Sequence, residues 1–240
     1  MARPIVKRFP VAQEVALAVG EDLFSFVRQA LAKQPRVDIA LTGGTVGIAS
    51  LAAASTQPFD TLDLSRLHIW WGDERFVDKE SDERNDQQAW NAWLRKLAIP
   101  LENLHSFPFK TKDLTLQEAA KNFAEQVTRH FSGFDLMLMG MGPDGHVASL
   151  FPGQEALPTE GFIVAVPNSP KPPSERMSFS YTAINLSSEI WFTVAGADKA
   201  NAVLSVFETS QTPLPAGKIQ GKEKTVWYVD QTAGNLVWGC

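Results

Sequence analysis

Short, continuously apolar runs alternate along this chain with amphipathic stretches. From Glu14 to Leu31, the residues Val15, Val19, Leu23, Phe26, Val27 and Ala30 fall on one helical face. Glu14, Glu21, Asp22, Ser25, Arg28 and Gln29 fall on the other, which predicts an amphipathic helix. Val37-Asp38-Ile39-Ala40-Leu41 reads as a strand running into Thr42-Gly43-Gly44-Thr45, and small residues from Val46 to Ala54 read as the helix after it. A second buried strand, Leu67-His68-Ile69-Trp70-Trp71, ends at Gly72-Asp73-Glu74-Arg75. Trp90, Trp93, Leu94 and Leu97 have helical spacing, which places both tryptophans on a core stripe and ends the helix at Pro100. Thr115-Leu116-Gln117-Glu118 has the form of a capping box, opening a helix with the stripe Leu116, Ala119, Ala120, Phe123, Val127 and Phe131.

The strand Phe134 to Met139 is nearly all apolar, as a parallel sheet covered on both faces requires. It ends in Gly140-Met141-Gly142-Pro143-Asp144-Gly145-His146. A strand from Phe162 to Val166 precedes a proline-rich loop, Pro167 to Pro173. Arg176 to Thr182 alternates, with Met177, Phe179 and Tyr181 on one side and Arg176, Ser178 and Ser180 on a polar side. Ile190 to Ala195 reads as a buried strand, Asp198 to about Phe207 as a helix, and Thr225 to Val229 as the last strand. The βα pattern continues on both sides of the proline loop, so residues 1–240 read as one domain, a doubly wound α/β sheet. Ligands of such sheets bind beyond the carboxyl ends of strands, where strand order switches.

Composition narrows the function without naming it. The 240 residues carry 22 basic and 27 acidic side chains, a net charge of −5, with 44% apolar residues. That balance argues against a nucleic-acid partner, which needs a basic face, but leaves room for a small anion held by a few local cations. The single cysteine, Cys240, excludes an intrachain disulfide and a Cys-based metal site. No apolar stretch has the form of a signal peptide or approaches the ~20 residues that span a bilayer, so the expected location is cytoplasmic, with no membrane partner.

Three segments after strands hold the candidate chemistry. Thr42-Gly43-Gly44-Thr45-Val46-Gly47 joins a strand to a helix and suits a phosphate; it reads equally as a tight turn. Asp73-Glu74-Arg75 offers Arg75 for a phosphate or carboxylate, with the acids orienting it or meeting sugar hydroxyls; singly, each residue also fits a solvated turn or a structural ion pair. Of the four histidines, His68 lies in a strand, His105 in a loop and His130 near a helix end, whereas His146 follows a glycine-rich turn where it can act as a general base. Arg176 begins a polar strand face, and Lys199 sits in a first helical turn, where a cation is unfavourable unless an anion compensates. Histidines and acids are too scattered for a metal site.

Together these residues resemble the 6-phosphogluconolactonase family, within the wider group that includes glucosamine-6-phosphate deaminase. The resemblance rests on Gly43-Gly44-Thr45, Asp73-Glu74-Arg75, the run Gly140 to Pro152, Pro172-Pro173 with Arg176, Gly196 with Lys199, and Trp227 with Asp230 and Ala233. Deaminases share Asp-Gly-His but continue into Phe-Asn-Glu-Pro, where this chain has Ser149-Leu150-Phe151-Pro152. The first glycine loop departs from the family's Ser-Gly-Gly-Ser-Thr-Pro and lacks its proline. The resemblance implies a Rossmann-like fold, no cofactor, and hydrolysis of 6-phospho-D-glucono-1,5-lactone to 6-phosphogluconate; the expected assembly is a monomer or weak homo-oligomer. It further implies a catalytic set of His146, Asp144 and Asp73, and a substrate and phosphate set of Gly43, Gly44, Thr45, Arg75, Gly142, Gly145, Arg176 and Lys199. A deaminase or isomerase of the same fold and a noncatalytic sugar-phosphate-binding protein are the alternatives.

Overall fold

The structure, a computed structural model, describes residues 3–239 apart from 130, 155, 156, 158 and 209–213. His130 and Cys240 lie outside the described residues. The centre is a seven-stranded sheet of β1 (Ile5–Phe9), β2 (Val37–Leu41), β3 (Leu67–Trp71), β5 (Leu104–His105), β6 (Leu136–Gly140), β10 (Glu189–Val194) and β11 (Lys224–Asp230). Its order is β1-β11-β10-β6-β2-β3-β5 and every pairing is parallel. The apolar strands β6, β10 and β11 are buried along nearly their whole length, as a sheet covered by helices on both faces demands. The basic start of the chain supplies edge strand β1, which the apolar pattern did not predict because its residues are mostly half-exposed.

Strand order reverses between β2 and β6. The chain adds β3 and β5 on one side of β2, and β10 and β11 on the far side of β6. The two central strands share only the pairs Ile39↔Leu136 and Ala40↔Met137, and part beyond them. Thr42 Oγ1 accepts the Gly140 amide at 3.2 Å across this opening, tying the two glycine loops together.

A second sheet was not foreseen. Gly72 donates its amide to Leu41 O (2.9 Å) while its carbonyl accepts from Phe179 N (3.0 Å), so β3 passes straight from the main sheet into another. There β4 (Asp73–Arg75), β9 (Arg176–Phe179), β8 (Ile163–Val166) and β7 (Thr159–Glu160) pair antiparallel in the order β4-β9-β8-β7. The strand expected from Arg176 to Thr182 therefore ends at Phe179. Ser180 caps the next short helix by accepting from Ala183 N at 3.3 Å, and the supposed polar face of Arg176, Ser178 and Ser180 is buried. Phe179 anchors the sheet, with ring centroids of Phe134, Phe131, Phe107 and Trp70 at 5.1, 5.4, 5.6 and 6.5 Å.

The helices are α1 (Ala12–Leu31), α2 (Thr45–Ala54), α3 (Asn85–Ala92), α4 (Leu116–Thr128), α5 (Tyr181–Ile184), α6 (Ala200–Glu208) and α7 (Gln231–Trp238). The capping box at Thr115 and Glu118 forms as expected, although α4 stops short of Phe131. The tryptophan stripe does not hold: α3 ends at Ala92, Trp93 turns inward to full burial, and Trp90 is left 39% exposed. His105 lies on edge strand β5, not in a loop. It shares a hydrogen bond with His68 (2.9 Å), and burial together with His68 holds it down to about 4.

Phe179→Ala empties the junction between the two sheets and is expected to cost about 3–5 kcal/mol, read as a lowered midpoint in urea unfolding. A change below about 1 kcal/mol contradicts this anchoring role.

Candidate active site

A cleft of about 620 Å³ opens where strand order reverses. It is lined by Thr42 to Gly47 after β2, Asp73 and Arg75 on β4, Gly140 to Gly142 and His146 after β6, Lys171 and Arg176 from the proline loop and β9, and Gly196, Asp198 and Lys199 after β10. Every candidate except Asp144, Gly145 and Glu74 thus lines one cavity, and Asp144 reaches it through His146.

The histidine is built by its own loop. His146 Nδ1 lies 2.5 Å from Asp144 Oδ1, and its ring packs on Phe151 with centroids 4.5 Å apart. Because a carboxylate only accepts, Nδ1 carries the proton and Nε2 keeps the free lone pair. Burial pulls the imidazole below its ordinary 6.5, against the lift of Asp144, so it is neutral at pH 7. Burial pushes the Asp144 carboxyl up, but the hydrogen bond and charge of His146 outweigh it and leave the group below the usual range. A Cβ at Gly142 would lie 2.0 Å from His146 Nδ1, so only glycine admits the ring. The Gly142 amide donates to His146 O (2.9 Å) and that of Gly145 to Gly142 O (3.0 Å). These two glycines shape the loop, and these bonds already engage their amides.

The glycine loop after β2 offers what the other withholds. α2 starts at Thr45 with no side-chain cap and no acid in its first turn, and its first backbone bond runs from Ile48 N to Gly44 O (2.9 Å). Among the described residues, the amides of 43–47 have no acceptor, which makes them a nest for an anion. A Cβ at Gly43 would meet Asn85 Oδ1 at 2.0 Å, so this loop too is fixed by close approach.

The charged triplet on β4 splits by role. Glu74 is fully buried and does not line the cleft; it accepts the amides of Arg75, Asn85 and Asp86 and faces Arg84 at 3.8 Å. Burial pushes this carboxyl up to about 7 against the pull of Arg84. Asp73 does not orient Arg75: it accepts from Ser149 Oγ (2.5 Å) and Asn85 Nδ2 (3.2 Å). Arg75 donates Nη1 to the carbonyl of Glu83.

The remaining cations are also engaged. Arg176 spends three bonds on the carbonyls of Pro173 (3.0 Å), Pro172 (3.1 Å) and Lys171 (3.2 Å), bracing the proline loop. Lys199 pairs with Asp198 at 2.9 Å. Lys171, which the sequence reading passed over, has no carboxylate partner among the described residues, and its charge helps to lower the His146 pKa. Asn85 was missed as well; nothing local marks an asparagine eleven residues after Glu74 as part of the same cluster. Asp230 was marked only by family resemblance. It caps α7 through Ala233 N (2.8 Å) and accepts the Gly196 amide (3.1 Å), holding the Lys199 turn in place.

The model of the glucosamine-6-phosphate isomerases/6-phosphogluconolactonase family matches residues 10–227. The chain belongs to that family. A curated 6-phosphogluconolactonase from Mycobacterium leprae is 38% identical, aligned over 98% of each chain. One from Streptomyces coelicolor is 35% identical over 92% of this chain and 90% of its own. The solved 6-phosphogluconolactonase of Thermotoga maritima, 26% identical, superposes with a TM-score of 0.83 over 95% of this chain and 100% of that one. No helix among the described residues is long and apolar enough to cross a membrane, and none of those residues cluster as metal ligands.

Asp144→Asn keeps a hydrogen-bonding partner beside His146 but removes its charge. The imidazole pKa is then expected to fall by about one unit or more, read by NMR titration of the ring. An upward shift contradicts the electrostatic role of Asp144.

Proposed function

We propose that this chain hydrolyses 6-phospho-D-glucono-1,5-lactone to 6-phosphogluconate, the lactone step of the oxidative pentose phosphate pathway. The observation that carries this reading is a neutral His146 oriented by Asp144, in one cleft with the uncapped amino terminus of α2. Full-length relatives that bear the lactonase name support the choice of reaction over ammonia release. The continuation Ser149-Leu150-Phe151-Pro152 supports it too.

The 6-phosphate sits against the free amides of 43–47, where the helix dipole favours an anion and Lys171, Arg75 and Lys199 add charge. His146 Nε2 takes a proton from water, and the oxygen attacks C1 of the lactone. The tetrahedral oxyanion collapses, the C1–ring oxygen bond breaks, and the imidazolium returns its proton to the departing oxygen. Asp144 keeps the ring in the tautomer that can accept at Nε2 and stabilises the imidazolium that forms. Donors to the oxyanion are each typically worth ~2.7–4 kcal/mol.

His146→Ala is expected to lower kcat by about 10²–10⁴-fold with KM within a few-fold, in a proton-release assay corrected for spontaneous hydrolysis. In the unaltered protein, kcat/KM is expected to be level near pH 7 and to fall as pH drops through a value below 6.5, because imidazolium cannot accept a proton. Undiminished turnover in the alanine variant, or ammonia release from glucosamine-6-phosphate by the parent, rejects this assignment.

A further inference from the structure

Asp73 is an oddity in a cleft for an anion. It is 6% exposed and lines the cavity, yet among the described residues no Lys, Arg or His forms an ion pair with it. Its carboxylate is held instead by neutral donors, Asn85 Nδ2 at 3.2 Å and Ser149 Oγ at 2.5 Å. The second distance is that of a charge-assisted O–H···O⁻ bond. Ser149 is fully buried, three residues after His146.

The backbone between them bears a conformational cost. Ala148 has φ 49, the left-handed region that non-glycine residues avoid at a cost of roughly 1–2 kcal/mol. It forms part of a tight turn in which Leu150 N donates to Val147 O at 2.8 Å. Such a conformation persists where surrounding bonds over-determine it. Here the turn aims Ser149 at Asp73, and the serine amide is itself held at 3.4 Å by Ser178 Oγ of β9. The loop that carries the base is thus stitched to the strand that carries the buried charge.

Resting on the lactonase reading above, we infer that Ser149 is a positioning residue: its hydroxyl holds the Asp73 carboxylate aimed into the cleft, where that charge balances the imidazolium formed when His146 takes a proton from water. Other charged groups around Asp73 are Arg75 and Glu74 on β4, Arg176 on β9 and His146 itself; Arg75 and Arg176 are committed to carbonyls and Glu74 to backbone amides. Asp73 lifts the His146 pKa and so acts in the direction required.

The test is a double-mutant cycle on the full chain. Ser149→Ala should lower kcat about tenfold with KM within twofold, the loss expected for one charge-assisted hydrogen bond. In an Asp73→Asn background the same serine change should have no further effect on kcat, because the charge it positions is gone. NMR titration of His146 gives a second readout independent of turnover: both single variants should lower the imidazole pKa. Ser149→Cys, which keeps the size of the side chain and a weak donor, should recover part of the loss. An equal drop in kcat in both backgrounds, or an unmoved His146 pKa in Ser149→Ala, overturns the inference and leaves the serine a packing residue. If the unaltered protein fails to hydrolyse the lactone, the functional reading falls, while the titration still decides whether Ser149 and Asp73 set the charge state of His146.

Discussion

The hydrogen bond from the Gly140 amide to Thr42 Oγ1 spans the point where the central strands β2 and β6 part company. A parallel sheet wound in two directions must have such a place, because successive crossovers leave a central pair of strands on opposite sides. With only two residue pairs joining β2 to β6, their ends diverge and their loops are free to wrap a ligand. The threonine contact keeps that divergence from becoming slack. It ties the loop of free amides at 43–47 to the loop that carries His146.

Charge in the cleft is rationed by burial. His146 is neutral at pH 7 because burial outweighs the pull of Asp144, although the two lie 2.5 Å apart. Glu74 is spent on three backbone amides and ties α3 to β4. Arg176, one of the cations that the sequence offered for a phosphate, braces three successive carbonyls of the proline loop. Several of the charged groups that line the cleft therefore act on other protein groups first, which leaves the backbone amides of 43–47 open to it.

Much of this was legible in the chain. Apolar runs of four or five residues marked the parallel strands, since full burial on both faces leaves a continuous signature. Glycine loops after two of those strands marked the cleft, because only glycine tolerates Asn85 against Gly43 or the imidazole against Gly142. The same logic misled at β9. Its alternation marked a polar face, but that face is buried: Ser178 is fully buried and bonds to a neighbouring carbonyl. At α3, helical spacing put Trp90 and Trp93 on one stripe, while the backbone left the helix between them.

The sequence by itself determined the alternation of strands and helices, the two glycine loops and the single histidine set in one of them. These follow from local rules: side-chain periodicity, backbone freedom and capping act over a few residues. Only the tertiary structure decided which charges face the cleft. Asp73 and Ser149 are 76 positions apart and meet at 2.5 Å, whereas Asp73 and Glu74 are adjacent and point to different tasks. What a carboxylate can do depends on the donors and the burial around it, and those are supplied by strands and loops brought together from distant parts of the chain.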